Sequence, residues 1–327
     1  MKKTILATSL VSLLPLSAAA AQVDMPMPEI YGDIRAQAAW HENSDYTTDI
    51  YQAELGAVGN VKVNNFGIGY QLEAEYSESM TDKSEDNDLI VREANIKVLF
   101  PGLGGAYIGS STTGTWTDLY SKVDIFESNN MERHSNNMLF GAQRYSTNQI
   151  AIMTPVFGGF QFKAAVVSPD EHNGTDADII GLRALYTQDA FSLVVNHGWT
   201  SQEMLGGAKE DGQRTLVASS YQFGQFYVGA VAEFDYDMPF DSRNVYAVSA
   251  KYTLNSTSFS LGYQYADWKG NRDNESLYLA NVRHDFNEHF AVFAEGALYG
   301  ESYKAGVSKP ADIAKGDNVN IGLIVSF

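Results

Sequence analysis

Apolar and polar residues alternate along much of this chain. Between Ile30 and Trp40 the even-numbered positions are apolar or glycine, whereas Asp33, Arg35 and Gln37 stand at odd-numbered ones. A period of two residues indicates a β-strand with one apolar and one polar face. The pattern recurs in about sixteen segments, the clearest of which are 51–63, 66–76, 160–166, 180–186, 226–234, 246–254 and 319–327. The chain is therefore predicted to be all-β, with Tyr51 on an apolar face.

The connections between these segments alternate in length. Short turns are predicted at 64–65, 101–104, 156–159, 188–190, 224–225, 255–257 and 287–288, and the connections between them are longer and polar. Antiparallel strands in succession, with short turns at one end and long loops at the other, are typical of a membrane barrel. We therefore predict a 16-stranded antiparallel up-and-down transmembrane β-barrel.

Aromatic residues indicate which face of the strands points outward. On the apolar face, phenylalanines begin strands after the short turns and other aromatic residues end strands before the long loops. The first set is Phe66, Phe160, Phe191, Phe226, Phe259 and Phe290, and the second is Trp40, Tyr76, Trp199 and Tyr236. Two such rows match the aromatic girdles of a membrane barrel. We expect the apolar face to contact lipid or a neighbouring subunit; a soluble β-sandwich or lipocalin-like barrel, with this face inward, is the alternative.

The first residues have the features of a secretory signal peptide. Lys2 and Lys3 precede a mostly apolar run from Ile5 to Leu16, and small residues follow at 17–21. We expect residues 1–21 to be removed and residues 22–327 to form one barrel domain. The apolar run is too short to cross about 30 Å of hydrocarbon as a helix, and no later apolar run reaches about 18 residues. Any membrane crossing is then made by strands.

Composition excludes several classes of function. The formal net charge is -18, and removal of Lys2 and Lys3 with the signal peptide would make it -20 (-18 minus 2). Nucleic-acid phosphates repel so acidic a chain, so no nucleic-acid partner is predicted. The absence of cysteine excludes disulfides, thiol nucleophiles and thiolate metal sites.

Motifs for metals, cofactors and catalysis are also missing. The histidines lack metal-binding spacing, and no nucleophile motif or dinucleotide fingerprint is present. Asp82, Asp86 and Asp88 have the spacing of a calcium loop, but Asn87 stands where that loop requires glycine. We therefore predict no cofactor, no metal and no catalytic residues. A barrel enzyme or an adhesin is a remote alternative.

One long stretch interrupts the alternation. From Ser110 to Gly141 the sequence has no steady period of two or of 3.6 residues. A connection of this length in a compact fold is usually functional or disordered. We expect it to be the third long loop of the barrel, to fold into the lumen and to narrow a pore.

Three motifs resemble the trimeric general porins of Gram-negative outer membranes. They are the opening 29–33, the pair formed by 144–148 and 154–160, and the terminal Phe327. The resemblance implies a homotrimer in the bacterial outer membrane, in contact with outer-membrane lipid and lipopolysaccharide. It also implies that Phe327 is the signal for the outer-membrane assembly machinery.

The resemblance further implies a constriction with acidic residues on the loop and basic residues on the barrel wall. On the loop, Asp124 and Glu127 match the acidic segment, and Trp116 and Asp118 are further candidates. On the wall, family position and alternation give the candidates Arg35, Glu54, Glu73, Arg92, Lys163, Arg183, Arg214 and Glu233. This wall departs from the family pattern, because Glu54 stands where many porins have an arginine.

The strand that contains Arg92 has two conflicting predictions. Alternation turns Glu93, Asn95 and Lys97 inward, whereas the family pattern turns Arg92 inward and leaves those three residues at the trimer contact. The two predictions are compatible only if the strand contains a bulge.

The predicted function is passive diffusion of small hydrophilic solutes and ions through a water-filled channel. Excess carboxylates in the lumen, among them Glu75 and Asp235, favour cations. The main alternative is a substrate-selective porin, for example for oligosaccharides, in which Trp116, Tyr120 and Phe126 would begin an aromatic track.

Overall fold

The computed structural model describes residues 23–24, 26–76, 89–128, 130–131, 140–142, 144–168, 177–205, 210–238, 242–269, 273–300 and 316–327. The predicted signal peptide and the calcium-like aspartates at 82–88 lie outside these residues. The described strands are β1 (Val23–Asp24), β2 (Glu29–His41), β3 (Thr47–Val63), β4 (Phe66–Tyr76), β5 (Leu89–Phe100), β6 (Gly104–Thr112), β7 (Tyr145–Met153), β8 (Phe160–Val167), β9 (Ile179–Gln188), β10 (Phe191–Thr200), β11 (Gly212–Phe223), β12 (Phe226–Tyr236), β13 (Arg243–Leu254), β14 (Thr257–Trp268), β15 (Glu275–Asn287), β16 (Phe290–Tyr299) and β17 (Asn318–Ser326).

Sixteen of these strands, β2 to β17, form a closed antiparallel barrel in the part of the chain that the structure describes. Each strand pairs with the next in sequence, and β17 pairs with β2. The closure includes Phe327 and Gly32, whose backbone N–H and C=O groups exchange hydrogen bonds of 2.9 and 3.0 Å. The two-residue β1 pairs with Lys62 and Val63 at the end of β3. The predicted 16-stranded barrel is confirmed.

The two faces of the strands have opposite environments, as predicted. Leu55 and Leu72, on the apolar face, are 58% and 59% exposed, whereas Gln264 and Asn320, on the polar face, are 1% and 2% exposed. Large residues of both aromatic rows are exposed on the apolar face, among them Phe160, Phe226, Phe259, Trp40 and Tyr236. The barrel therefore carries its apolar side chains on the outside, and the soluble alternative with this face inward is wrong.

The short turns lie where the sequence predicts them. Asn64, Asp189 and Asn255 occupy the left-handed region with φ of 53°, 50° and 53°, and Gly224 does so with φ of 58°. Asn, Asp and Gly tolerate this conformation better than other residues. These residues reverse the chain tightly enough for consecutive strands to pair from the turn onward.

The register shifts at four places among the described strands, and two of these bulges change the direction of side chains for which the sequence makes a prediction. The pairing of β2 with β3 shifts between Arg35 and Ala36, so that Tyr51 is an extra residue on β3. Tyr51 is buried, and its hydroxyl donates to the carbonyl of Glu127 at 2.9 Å. The prediction that Tyr51 lies on the outer face is wrong, because a bulge places two successive residues on one side of the strand.

The second bulge resolves the conflict over β5. The pairing of β4 with β5 shifts between Glu73 and Ala74, with Glu93 and Val91 as their partners, which leaves Arg92 as the extra residue. Arg92 Nε donates to Glu75 at 2.9 Å, and Glu93 is buried on the same face. The bulge therefore lets Glu93 point inward, as alternation predicts, and Arg92 point inward, as the family pattern predicts. The other part of the family pattern, which leaves Glu93 at a contact between subunits, is wrong, because Glu93 lies on the inner face.

Candidate functional site

The connection between β6 and β7, residues 113–144, is here named the long loop. It begins later than the sequence predicts, because Ser111 and Thr112 pair with Ser146 and Tyr145 beyond a bulge in β6. Its first element is the helix α1 (Gly114–Asp118), in which Thr113 Oγ1 accepts a hydrogen bond from Trp116 N as an N-cap. A single 3-10 turn follows at Tyr120–Lys122. Among the described residues, no helix has the length and apolar character needed to cross a membrane.

Aromatic side chains hold the two ends of the long loop together. The ring of Tyr120 stacks on that of Phe140 with centroids 4.1 Å apart, and Trp116 meets Tyr120 edge-on at 5.6 Å. The guanidinium of Arg144 lies 5.8 Å from the Trp116 ring centroid. Trp116 is 8% exposed and Tyr120 is fully buried. Both rings therefore contact protein rather than water, as does Phe126, which is 8% exposed.

The long loop lies directly against three strands. A Cβ added to Gly229 on β12 would lie 1.8 Å from the Lys122 carbonyl oxygen, and one added to Gly262 on β14 would lie 2.5 Å from the Phe126 ring. Between them, Ser249 Oγ on β13 donates to the Val123 carbonyl at 2.6 Å. Glycine at two positions of the inner face thus allows the loop to approach more closely than any side chain would permit.

Hydrogen bonds add to this contact at the 3-10 turn. The Tyr227 hydroxyl donates to the Lys122 carbonyl at 2.9 Å, and Lys122 Nζ donates to Ser192 Oγ on β10 at 2.9 Å. Burial lowers the pKa of Lys122 below its usual value, and burial raises the pKa of Tyr120 well above its usual value. Tyr120 accordingly keeps its proton, and its hydroxyl donates a hydrogen bond to Glu233 Oε2 on β12.

A buried carboxylate binds the middle of the long loop. Glu295 on β16 is 1% exposed. It accepts hydrogen bonds from Glu127 N at 2.9 Å, from Ser128 N at 3.3 Å and from Ser128 Oγ. Asn130 Nδ2 and Asn281 Nδ2 each donate to it at 3.0 Å. A buried carboxylate requires such donors, since leaving a buried charge without partners is costly.

Asp118 and Glu127 each form ion pairs with cations from two strands. Asp118 Oδ2 lies 2.9 Å from Lys163 Nζ on β8 and 2.6 Å from Arg183 Nη1 on β9. Glu127 lies 3.6 Å from Arg35 Nη1 on β2 and 2.8 Å from Arg283 Nη1 on β15. The structure thus brings together five of the predicted site residues in two groups. Asp124 lies between these groups along the loop, half-buried, with its backbone N–H donating to Tyr120 O at 2.9 Å.

Arg214 and Glu233, both predicted wall residues, belong to a third group. Arg214 Nε lies 2.5 Å from Asp235 and 3.4 Å from Glu233, which is fully buried. Arg243 Nε lies 4.0 Å from Asp235. These carboxylates are therefore matched by guanidinium groups from β11 and β13.

The remaining predicted wall residues lie on β2 to β5, where carboxylates outnumber cations. Glu54 pairs across the sheet with Asp33 on one side and Glu75 on the other. Arg35 Nε lies 2.5 Å from Asp33, and Arg92 Nε lies 2.9 Å from Glu75.

Glu54 and Glu73 differ from these neighbours. Glu54 accepts a hydrogen bond from Gln52 at 2.5 Å, and Glu73 accepts one from the Tyr31 hydroxyl at 2.6 Å. Within the described part of the chain, neither carboxylate forms an ion pair. Their charge is therefore not compensated by a bonded cation.

Sequence reasoning missed three residues of this region, Arg243, Arg283 and Glu295. Alternation places each of them on the polar face of its strand, so the signal for an inward position was present. Their partners on the long loop or on another strand are set by barrel closure, which alternation does not encode. No group of three or more possible metal ligands is found among the described residues.

Comparison with known proteins gives a family and a set of similar folds. A family model described as Gram-negative porin matches residues 7–302. A search of curated protein sequences finds no match. Among solved structures, an anion-selective porin from Comamonas acidovorans is similar with a TM-score of 0.73 at 16% identity, over 94% of this chain and 100% of that one.

Two further solved structures show the same likeness. Salmonella typhi OmpF, in complex with daunomycin, has a TM-score of 0.73 at 14% identity, over 92% of this chain and 97% of that one. The trimer form of OmpT from Vibrio cholerae has a TM-score of 0.69 at 16% identity, over 94% and 100% of the two chains. At these identities the likeness supports the fold alone.

Proposed function

This chain belongs to the family of Gram-negative porins, and on that premise we propose that it is a general diffusion channel for small hydrophilic solutes and ions. The protein is located in the bacterial outer membrane. A barrel with its apolar face toward lipid leaves its polar face for water. Family and fold favour a channel without catalytic activity.

The long loop is proposed to narrow this channel. The observation that carries the proposal is the bonding of Glu127 and Ser128 to Glu295 on β16, because the loop itself begins at β6. A connection that leaves β6 and is held by the polar face of β16 restricts the cross-section of the barrel. Asp118, Asp124 and Glu127 are proposed as its charged residues, with Lys163, Arg183 and Arg35 opposite them.

The aromatic track of a substrate-selective porin is less well supported. It requires exposed rings, whereas Trp116, Tyr120 and Phe126 are 8%, 0% and 8% exposed. Their proposed role is to pack the long loop against the wall.

The channel is proposed to prefer cations, chiefly because of Glu54 and Glu73. A carboxylate about 5 Å from a permeating cation contributes roughly 0.8 kcal/mol in water, and screening near 0.1 M salt reduces this to about 0.5 kcal/mol. Each such group then raises the local cation concentration about twofold. The carboxylates of Asp118, Glu127 and Asp235 contribute less, since bonded cations offset them.

Planar-bilayer recording of the purified, folded protein tests both parts of the proposal. Stepwise, long-lived currents are expected, together with a reversal potential of the sign given by cation flow down a potassium chloride gradient. A barrel that carries no current would refute the channel. A reversal potential of the opposite sign would refute cation preference and leave the channel intact.

The proposals for assembly and processing are those that membership of the porin family implies. We propose a homotrimer in contact with lipid and lipopolysaccharide, removal of residues 1–21, and recognition of Phe327 by the outer-membrane assembly machinery. The Phe327 ring is 58% exposed on the outer face, where it covers Gly32. Light scattering of the detergent-extracted protein should give three chains, and N-terminal sequencing should begin at Gln22. A monomer, or an intact Met1, would contradict these assignments.

A further inference from the structure

A cavity of about 600 Å³ separates α1 from the wall formed by β5 to β11. Its volume lies within the range of sites that hold small organic ligands. Thr113, Thr115 and Thr117 line it on the loop side, and Lys163 and Arg183 line it on the wall side. Neither Glu54 nor Glu73 lines this cavity.

The charged residues that line this cavity are mostly basic. They are Lys97, Lys163, Arg183, Arg214 and Glu93, which sum to +3 (four cations minus one carboxylate) in a chain whose formal charge is -18. The carboxylate of Glu93 is already engaged, with Thr112 N and Oγ1 at 2.8 and 2.7 Å and Asn95 Nδ2 at 2.8 Å. Arg214 is offset by Asp235 and Glu233, which do not line the cavity, so the positive charge that remains for a solute lies at Lys97, Lys163 and Arg183.

The excess is concentrated at Lys163 and Arg183, which share the single carboxylate of Asp118. Arg183 has five N–H groups. Its hydrogen bonds are to Asp118, Thr115 and Asn196. Lys163 keeps 28% of its side chain exposed. Both cations thus retain donors for a further oxygen ligand.

Part of the wall beside these cations is apolar. Ile150 and Ile152 of β7 are exposed on the outside, so Met153 and Ala151 point inward. On β8, Ala165 follows Lys163 on the same face, and all three inward residues line the cavity. Apolar side chains gain no stability from facing water, but they would contact the apolar part of a bound solute.

We propose that this cavity is a binding site for small amphipathic carboxylates. The carboxylate group is held by Lys163 and Arg183, and an aliphatic or aromatic body lies against Met153, Ala151 and Ala165. The proposal rests on the channel function above, because the solute reaches the cavity through the lumen. The site makes the protein a channel that retains one class of organic anion even though its wider lumen favours cations.

Benzoate is the probe that tests this site in single-channel recordings. Benzamide has the same ring without the charge, and acetate has the charge without the ring. Benzoate should interrupt the current at concentrations at least about tenfold lower than either, because only benzoate uses both the cations and the apolar wall. Equal effects of benzoate and benzamide would overturn the proposal.

Three variants at two lysines locate the site. Lys163→Gln should raise the benzoate concentration for half-maximal interruption by about tenfold, because a charged hydrogen bond is lost. Lys163→Arg keeps the positive charge, so its half-maximal concentration should lie close to that of the wild type. Lys251→Gln is the control, since Lys251 lies on β13 over the Tyr227 ring and outside the cavity. Equal effects of Lys163→Gln and Lys251→Gln would exclude this location.

Calorimetry of benzoate binding to the detergent-folded protein separates this proposal from the channel function. A protein that conducts but does not bind benzoate refutes the site alone. A protein that binds benzoate with the same dependence on Lys163, but carries no current, refutes the channel function alone.

Discussion

Gly229 gives the sharpest test of the contact between the long loop and the wall. Its backbone lies outside the left-handed region, so alanine is conformationally allowed. However, the added Cβ would lie 1.8 Å from the Lys122 carbonyl oxygen, whereas ordinary contact begins at 3.4 Å. Gly229→Ala must therefore displace this part of the loop by about 1.6 Å (3.4 minus 1.8).

The displacement has a cost and a direction. Overpacking of this kind costs about 1–3 kcal/mol, and it weakens the bond from the Tyr227 hydroxyl to the same carbonyl. Because β12 lies on one side of the loop, the loop can move only away from the wall. If the loop narrows the channel from within, this movement narrows it further, and the single-channel conductance should fall.

Gly181→Ala is the matched control. Gly181 lies on the polar face of β9, its backbone is also outside the left-handed region, and an added Cβ would meet no atom within 4 Å. It should leave the conductance unchanged, and it should leave the free energy of unfolding unchanged or raise it by up to about 1 kcal/mol, since glycine is unfavourable in a strand.

The assays are planar-bilayer conductance and urea unfolding of the reconstituted barrel. For Gly229→Ala we expect lower conductance and a free energy of unfolding reduced by about 1–3 kcal/mol. Conductance and stability equal to wild type, or equal changes in both alanine variants, would refute the contact and the proposed position of the loop.

Three further predictions concern the charged groups. Glu295→Ala leaves the donors of Glu127, Ser128 and Asn130 without their acceptor, so the free energy of unfolding should fall by about 3 kcal/mol or more and current noise should rise. Glu288→Ala, in an exposed turn, is the control, and equal values for the two variants would contradict the role of Glu295 in holding the long loop. Glu54→Gln combined with Glu73→Gln should move the reversal potential toward the value for anion flow, by an amount that corresponds to about a fourfold loss of local cation enrichment. An unchanged reversal potential would exclude these carboxylates as the source of cation preference. Asp118→Asn leaves Lys163 and Arg183 without a carboxylate, so anion permeability should rise, and a shift toward cations would be inconsistent with the ion pairs seen here.

Most of the barrel could be predicted because one local rule governs it. In β4, β8 and β12 every inward position is two residues from the next. Apolar side chains are favoured at positions that face lipid, and polar side chains at positions that face water. The bulge at Arg92 also left a signal, since Arg92 and Glu93 are adjacent charges between Val91 and Ala94. The bulge at Tyr51 left none, because a tyrosine is acceptable on either face.

The candidate site was less predictable, because distant residues build it. The residues of the Tyr227–Lys122 bond are 105 positions apart. Gly229 and Gly262 resemble any other strand glycine in sequence, and only the position of the loop explains them. Asp118 and Glu127 could be identified as loop carboxylates, but Arg283 as a partner of Glu127 depends on barrel closure.

The most direct test of the account uses cysteine, which the natural chain lacks. Glu54→Cys and Leu55→Cys place a thiol at neighbouring positions on opposite faces of β3. During bilayer recording, a charged, membrane-impermeant methanethiosulfonate should react with the first and change the conductance in steps, while leaving the second unmodified. Reaction at Leu55→Cys with none at Glu54→Cys would contradict a water-filled lumen lined by the polar face.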